Sequence, residues 1–120
     1  NEKVYLMNHL SDLCEVRKMI HKIDFFIEKE KFCMDAGKPY LVMRAVRGEE
    51  KTPYEPAEYE YGRLLPEASD AAYRSYLLDE RDKKMKLQET LKMQKTSGAG
   101  ARVEELTEEI TGLNWILNKF

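Results

Sequence analysis

Seven apolar residues, Leu6, Leu10, Leu13, Val16, Ile20, Ile23 and Ile27, recur at steps of three and four. On a 3.6-residue helix those steps fall on one stripe. No Gly or Pro interrupts the run between Leu6 and Met34. The stripe predicts a single amphipathic helix over about 4–35, roughly 45 Å long at 1.5 Å per residue. Towards its end the apolar face widens to Phe25, Phe26, Ile27, Phe32 and Met34. Such a face needs more than one neighbour, so this end is expected to be the most buried. Gly37 and Pro39 then supply a stop, by left-handed cap and missing donor respectively.

Two further helices are expected, over 67–96 and 101–120. Pro66 and Ser69 are start signals for the first, which carries one apolar patch at Tyr73, Tyr76 and Leu77 and another at Leu87 and Leu91. The run Asp79–Lys84 between them is entirely charged, with acid-before-base pairs at i,i+4 that suit an exposed helix. Thr96–Gly100 reads as a turn. Val103, Leu106, Ile110, Leu113, Leu117 and Phe120 then form a heptad seam. Short turns favour antiparallel neighbours, so these two helices should fold back on each other. Trp115 lies about 200° round the helix from Leu113, so one seam cannot bury both; cover by the tyrosine-rich segment 38–65 is expected.

That segment is read as irregular or as a small β-hairpin. Tyr40, Val42 and Val46 alternate between Pro39 and Gly48, and Glu58-Tyr59-Glu60-Tyr61 alternates again. The expected fold class is therefore mainly α: a three-helix antiparallel bundle or helical hairpin with a long first helix and an insertion at 38–65. Residues 1–120 read as a single helical domain. The chain opens at Asn1, not at a methionine, which suits a module excised from a longer protein.

Composition narrows the function classes. Twenty basic and 22 acidic residues nearly cancel, leaving a formal charge of −2. That balance lacks the basic excess of a nucleic-acid binder, so no direct nucleic-acid contact is expected. No apolar run reaches the 18 or so residues of a membrane span. Cys14 and Cys33 on one helix would stand almost 30 Å apart, beyond the reach of a disulfide. Two free thiols and no signal peptide suit a cytoplasmic protein.

No motif names a reaction. His9 and His21 would lie about 18 Å apart on a straight helix, and neither CxxC nor HExxH is present. Ser97–Ala101 precedes a helix but lacks the lysine and hydroxyl of a phosphate loop. Catalytic, cofactor-binding and metal-binding residues are all expected to be absent. The unusual feature is aromatic: Tyr54, Tyr59 and Tyr61 sit among glutamates, and Tyr suits interfaces. With Trp115, Phe25 and Phe26 they are the candidate partner contacts.

The stretch His21-Lys22-Ile23-Asp24-Phe25-Phe26-Ile27-Glu28 is similar to the dimerisation helix of MerR-type regulators. The resemblance covers one helix and implies the dimerising part of a transcription regulator. A small-molecule pocket lined by Phe25, Phe26, Tyr40, Tyr59 and Trp115 is a further reading. The leading expectation is a non-enzymatic protein–protein interaction or oligomerisation module, partnered by itself or by another helix.

Overall fold

The computed structural model describes residues 2–120. Strand β1 (Lys3–His9) passes through a 3-10 turn (Leu10–Asp12) into helix α1 (Leu13–Lys22). Strands β2 (Phe25–Asp35) and β3 (Lys38–Arg47) follow, then helices α2 (Pro56–Tyr61), α3 (Leu64–Glu67), α4 (Ala71–Lys92) and α5 (Ser97–Leu117). The strands form one sheet in the order β1-β3-β2, with β3 antiparallel to both neighbours. β1 and β2 therefore run parallel, and α1 is the crossover between them, as parallel strands require.

This sheet replaces the expected long helix. Residues 4–35 are strand, helix and strand, so the helical-bundle expectation is wrong. The stripe misleads for two local reasons. Asp24 adopts a left-handed backbone, φ 61°, which a short polar side chain tolerates and a continuing helix does not. Ile23, counted in the stripe, is 54% exposed. Within β2 the pairing register shifts between Ile27 and Lys29. That bulge inserts one residue, so the buried positions run Phe25, Ile27, Glu30, Phe32. A period of two with one bulge supplies a step of three, which imitates a helix in sequence.

Gly37 is a hairpin turn instead of a helix cap. Ala36 (φ 50°) and Gly37 (φ 77°) form a two-residue connection with both residues left-handed, the geometry that suits the twist of the flanking strands. The strand read at 40–46 is present, but its partners are β1 and β2. The stretch 58–61 belongs to helix α2, opened by Pro56 at its first turn and a reciprocal Glu55–Glu58 capping box.

One face of the sheet, with Leu41 and Met43 fully buried, packs on Leu13 and Ile20 of α1 and on Tyr73, Leu77, Leu113 and Ile116. α4 and α5 make an antiparallel hairpin, shown by the ladder Arg81–Asn114, Lys84–Glu109 and Gln88–Val103. Asp70 accepts from the Tyr73 amide at the start of α4, and Thr96 from the Ala99 amide at the start of α5. Beyond Leu77 no residue of α4 is fully buried. The far half of the hairpin stands clear of the body, and the molecule extends 55 Å along its long axis.

Leu113 is fully buried, whereas Trp115 is 37% exposed with Lys119 Nζ 4.5 Å from its ring centre. The ring is stacked under a lysine at the surface, and the 38–65 segment packs elsewhere. Leu113→Ala should therefore lower the unfolding free energy by about 2–5 kcal/mol, and Trp115→Ala by no more than about 0.5 kcal/mol, in urea titrations. Equal losses would contradict this packing.

Candidate functional site

A groove of about 680 Å3 opens where β1 hands over to α1, facing α2 and the near half of the α4–α5 hairpin. Leu10 and Ser11 form one wall, Tyr61, Tyr76 and Glu80 line another, and Gly112 lies against the ring of Tyr61. Burial raises the Tyr61 and Tyr73 hydroxyls well above their usual range and pushes Tyr76 up to about 12. The tyrosines of this wall thus stay protonated donors at neutral pH. Glu109 accepts from Lys84 and Arg102, each at 2.7 Å. Burial pushes its carboxyl up, but those two cations more than offset the effect and hold it below the ordinary range.

The short helix that brings Glu60 and Tyr61 to the groove is held by a buried ion pair. Arg17 Nε donates to Glu30 Oε1 at 2.8 Å, and both side chains are wholly buried. Arg17 Nη1 also donates to the carbonyls of Tyr59 and Glu60, at 2.8 and 3.1 Å. The Tyr73 hydroxyl donates to the carbonyl of Tyr61 at 2.7 Å. Carbonyls at a helix C-terminus have no partner inside the helix, so α2 ends on donors from α1 and α4. Gly62 follows with φ 95°, and a Cβ there would come within 2.7 Å of Glu30 Oε2. Only glycine fits so close to the pair.

Behind the pair lies an aromatic cluster. His21 Nδ1 and the Tyr59 hydroxyl are hydrogen-bonded at 2.8 Å, and the Tyr54 ring meets the imidazole edge-on at 4.6 Å. Arg63 caps Tyr54 at 4.1 Å and forks onto Glu58 at 2.7 and 2.9 Å. Its donors hold Glu58 below the usual carboxylate range.

The six candidate contacts are scattered by this arrangement. Tyr61 lines the groove; Tyr54 is buried and Tyr59 half-buried in the aromatic cluster. Phe25 is buried under Arg47, Phe26 packs on Gly48, and Trp115 is at the surface of α5. The groove is lined by none of Phe25, Phe26, Tyr40, Tyr59 and Trp115. Tyr76, Glu80 and Lys84 line the groove although sequence reasoning took them for helix patch and solvated face. Arg17 was missed too, although its spacing from Leu13 and Ile20 set a charge on the apolar side of a helix.

The sequence matches, over residues 3–114, the family described as TrmK: tRNA (adenine(22)-N(1))-methyltransferase. The chain belongs to this family. No curated protein matches it. Among solved structures, an uncharacterised Listeria monocytogenes protein superposes with a TM-score of 0.87 at 18% identity, covering 96% of this chain and 50% of that one. The B. subtilis M1A22 tRNA methyltransferase TrmK gives 0.81 at 17% identity, with 97% and 51% covered. M. capricolum TrmK, solved with S-adenosyl-homocysteine, gives 0.78 at 14%, with 98% and 49% covered. The chain thus spans about half the length of the solved structures it matches.

These findings correct four expectations. The fold is that of about half the length of these methyltransferase structures, a three-stranded antiparallel sheet plus helices, and not a bundle. The family is one of enzymes, which overturns the non-enzymatic, coiled-coil oligomerisation module. A family acting on tRNA overturns the exclusion of nucleic acid: a near-zero net charge says little about how charge is distributed over the surface. The MerR likeness lapses as well, because His21–Glu28 is the end of α1, a turn and the start of β2. Among the described residues no helix is long and apolar enough to cross a membrane.

TrmK of M. capricolum was solved with the methyl donor's product, but the described residues do not fit such a group. The connection from β1 to α1 contains no glycine, and at Gly48, after β3, a Cβ would come within 3.0 Å of the Phe26 ring. Neither strand-to-helix junction offers the close backbone approach that a nucleoside cofactor needs.

Burial lowers the pKa of His21 from its ordinary 6.5, and Arg63 adds to the effect. The unfolded chain therefore takes up the proton first, so this contribution to stability is complete above pH 6.5 and is lost as pH falls through the folded value. The Glu58 contribution persists until pH falls below 4.5. Melting temperature should drop between pH 7.5 and 5, and His21→Gln should flatten that slope. An unchanged slope in the variant would remove His21 as the cause.

Proposed function

We propose that residues 1–120 are one part of a methyltransferase that places a methyl group on N1 of an adenine in tRNA, working in the cytoplasm. The observation that carries this reading is the family match over 3–114. Two features support it. The groove at the end of β1 presents protonated tyrosines and carboxylates, side chains that stack on a base and accept from its amino group. The outer half of the α4–α5 hairpin presents Lys86, Lys92 and Lys95, all exposed, which suits a phosphate backbone. The donor of the methyl group would be held by the remainder of the protein, since these residues offer no cradle for it.

The test is methylation of a tRNA transcript by the natural full polypeptide, with product mapped by primer extension. A block to extension at adenine 22, absent when that base is guanine, is expected. Methylation at another position, or none, would overturn the assignment. Replacing Lys86, Lys92 and Lys95 with Glu should raise the KM for tRNA and flatten its salt dependence by about one unit of slope per lost phosphate contact.

A further inference from the structure

The groove between α2 and the near half of the α4–α5 hairpin has an uneven charge. Glu60 of α2, Glu80 of α4, and Glu108 and Glu109 of α5 line it, against Lys84 as the one cation of the lining among the described residues. Glu109 already holds Lys84 at 2.7 Å. Three carboxylates from three helices remain. Glu60 and Glu108 are exposed, and half-buried Glu80 meets the exposed Lys83 at 3.6 Å. The negative field reaches the aromatic wall: after burial, Glu60, Glu109 and Glu80 are what raise the Tyr61 hydroxyl.

Between these charges the surface is aromatic and apolar. The Tyr73 and Tyr76 rings stack at 10° with centres 6.2 Å apart, and Leu10, Leu13 and Leu77 lie beside them. Facing Tyr61, α5 carries Gly112, where a Cβ would stand 3.8 Å from the ring. A longer side chain there would take up the space beside Tyr61. The volume, about 680 Å3, falls within the range of about 300–1,000 Å3 usual for small-molecule sites.

This combination selects its occupant. Excess carboxylates repel phosphate, so a nucleotide can enter only by its base, with the backbone left outside, as in extrusion from a helix. A neutral base would gain stacking alone. A cationic ring also gains from the tyrosine faces and from the carboxylates. Methylation of adenine at N1 makes such a ring: the N1 lone pair goes into the new bond, and positive charge spreads over the ring at neutral pH.

We propose that the groove binds an adenine base made cationic by methylation at N1, its ring against Tyr61 and Tyr76 and its charge facing Glu60, Glu80 and Glu108. The identity of the base rests on the methyltransferase reading, whereas the charge and shape of the groove do not.

Calorimetric titration of the natural full polypeptide with 1-methyladenosine and with adenosine at pH 7 tests this. The charged nucleoside should bind on the order of 10-fold more tightly or better. Glu80→Gln with Glu108→Gln keeps shape and removes charge, and should erase most of that preference while leaving adenosine binding unchanged. Gly112→Leu should weaken the binding of 1-methyladenosine by filling the groove. None of these three positions is fully buried, so the variants should melt close to the parent protein. Equal affinities for the two nucleosides, or a preference that survives loss of both carboxylates, would overturn the site. So would spermidine displacing 1-methyladenosine with the higher affinity, since the groove would then read charge alone. Preference for the charged nucleoside in a polypeptide that methylates no tRNA would support the site and remove the function proposed above. Methylation of adenine 22 without that preference would do the reverse.

Discussion

Arg17 holds together three elements that the chain order keeps far apart. It is rooted in α1, paired with Glu30 of β2, and bonded to two carbonyls at the end of α2. A wholly buried guanidinium is costly to desolvate, and that cost is met only because most of its donors find acceptors. The geometry around it then follows. α2 must end at Tyr61, residue 62 must be glycine, and the Tyr61 ring is set facing Gly112 across the groove. Removing one partner would leave a bare charge in the core, so the pair is a constraint on shape more than a source of stability.

The groove and the hairpin are tied to this anchor from the other side. Tyr73 of α4 donates to the Tyr61 carbonyl, next to the two carbonyls that Arg17 holds. The base of α4 is therefore fixed on the same short helix, while its outer half is joined to α5 through side-chain bonds such as those from Gln88 to Val103 and Thr107. The result is a fixed base with a projecting arm.

How much of this was legible in the sequence depends on where period and context agreed. The strand at 40–46 showed through because Pro39 and Gly48 bound an alternating run, and the seam from Val103 to Leu117 showed through because α5 buries one face only. β2 was hidden by its bulge, which turned Phe25, Ile27, Glu30 and Phe32 into a helix-like series. Glu58–Tyr61 alternates like a strand, yet the Pro56 start and the capping box decide for helix. Of the groove, only Tyr61 was singled out. Tyr76, Glu80 and Lys84 come together through tertiary packing that no spacing records. The family match extends over residues 3–114.

The central claim is that the Arg17–Glu30 pair organises the packing of α1, β2 and α2, and a double-mutant cycle tests it most directly. Arg17→Met, Glu30→Met and the double variant are compared by urea unfolding of the same chain. Each single change should cost about 3–5 kcal/mol, because it strands a buried charge, and the double variant should recover a large part of that loss. Singles that cost less than about 1 kcal/mol, or losses that simply add, would mean that the two side chains are not coupled and that the groove is held by packing alone.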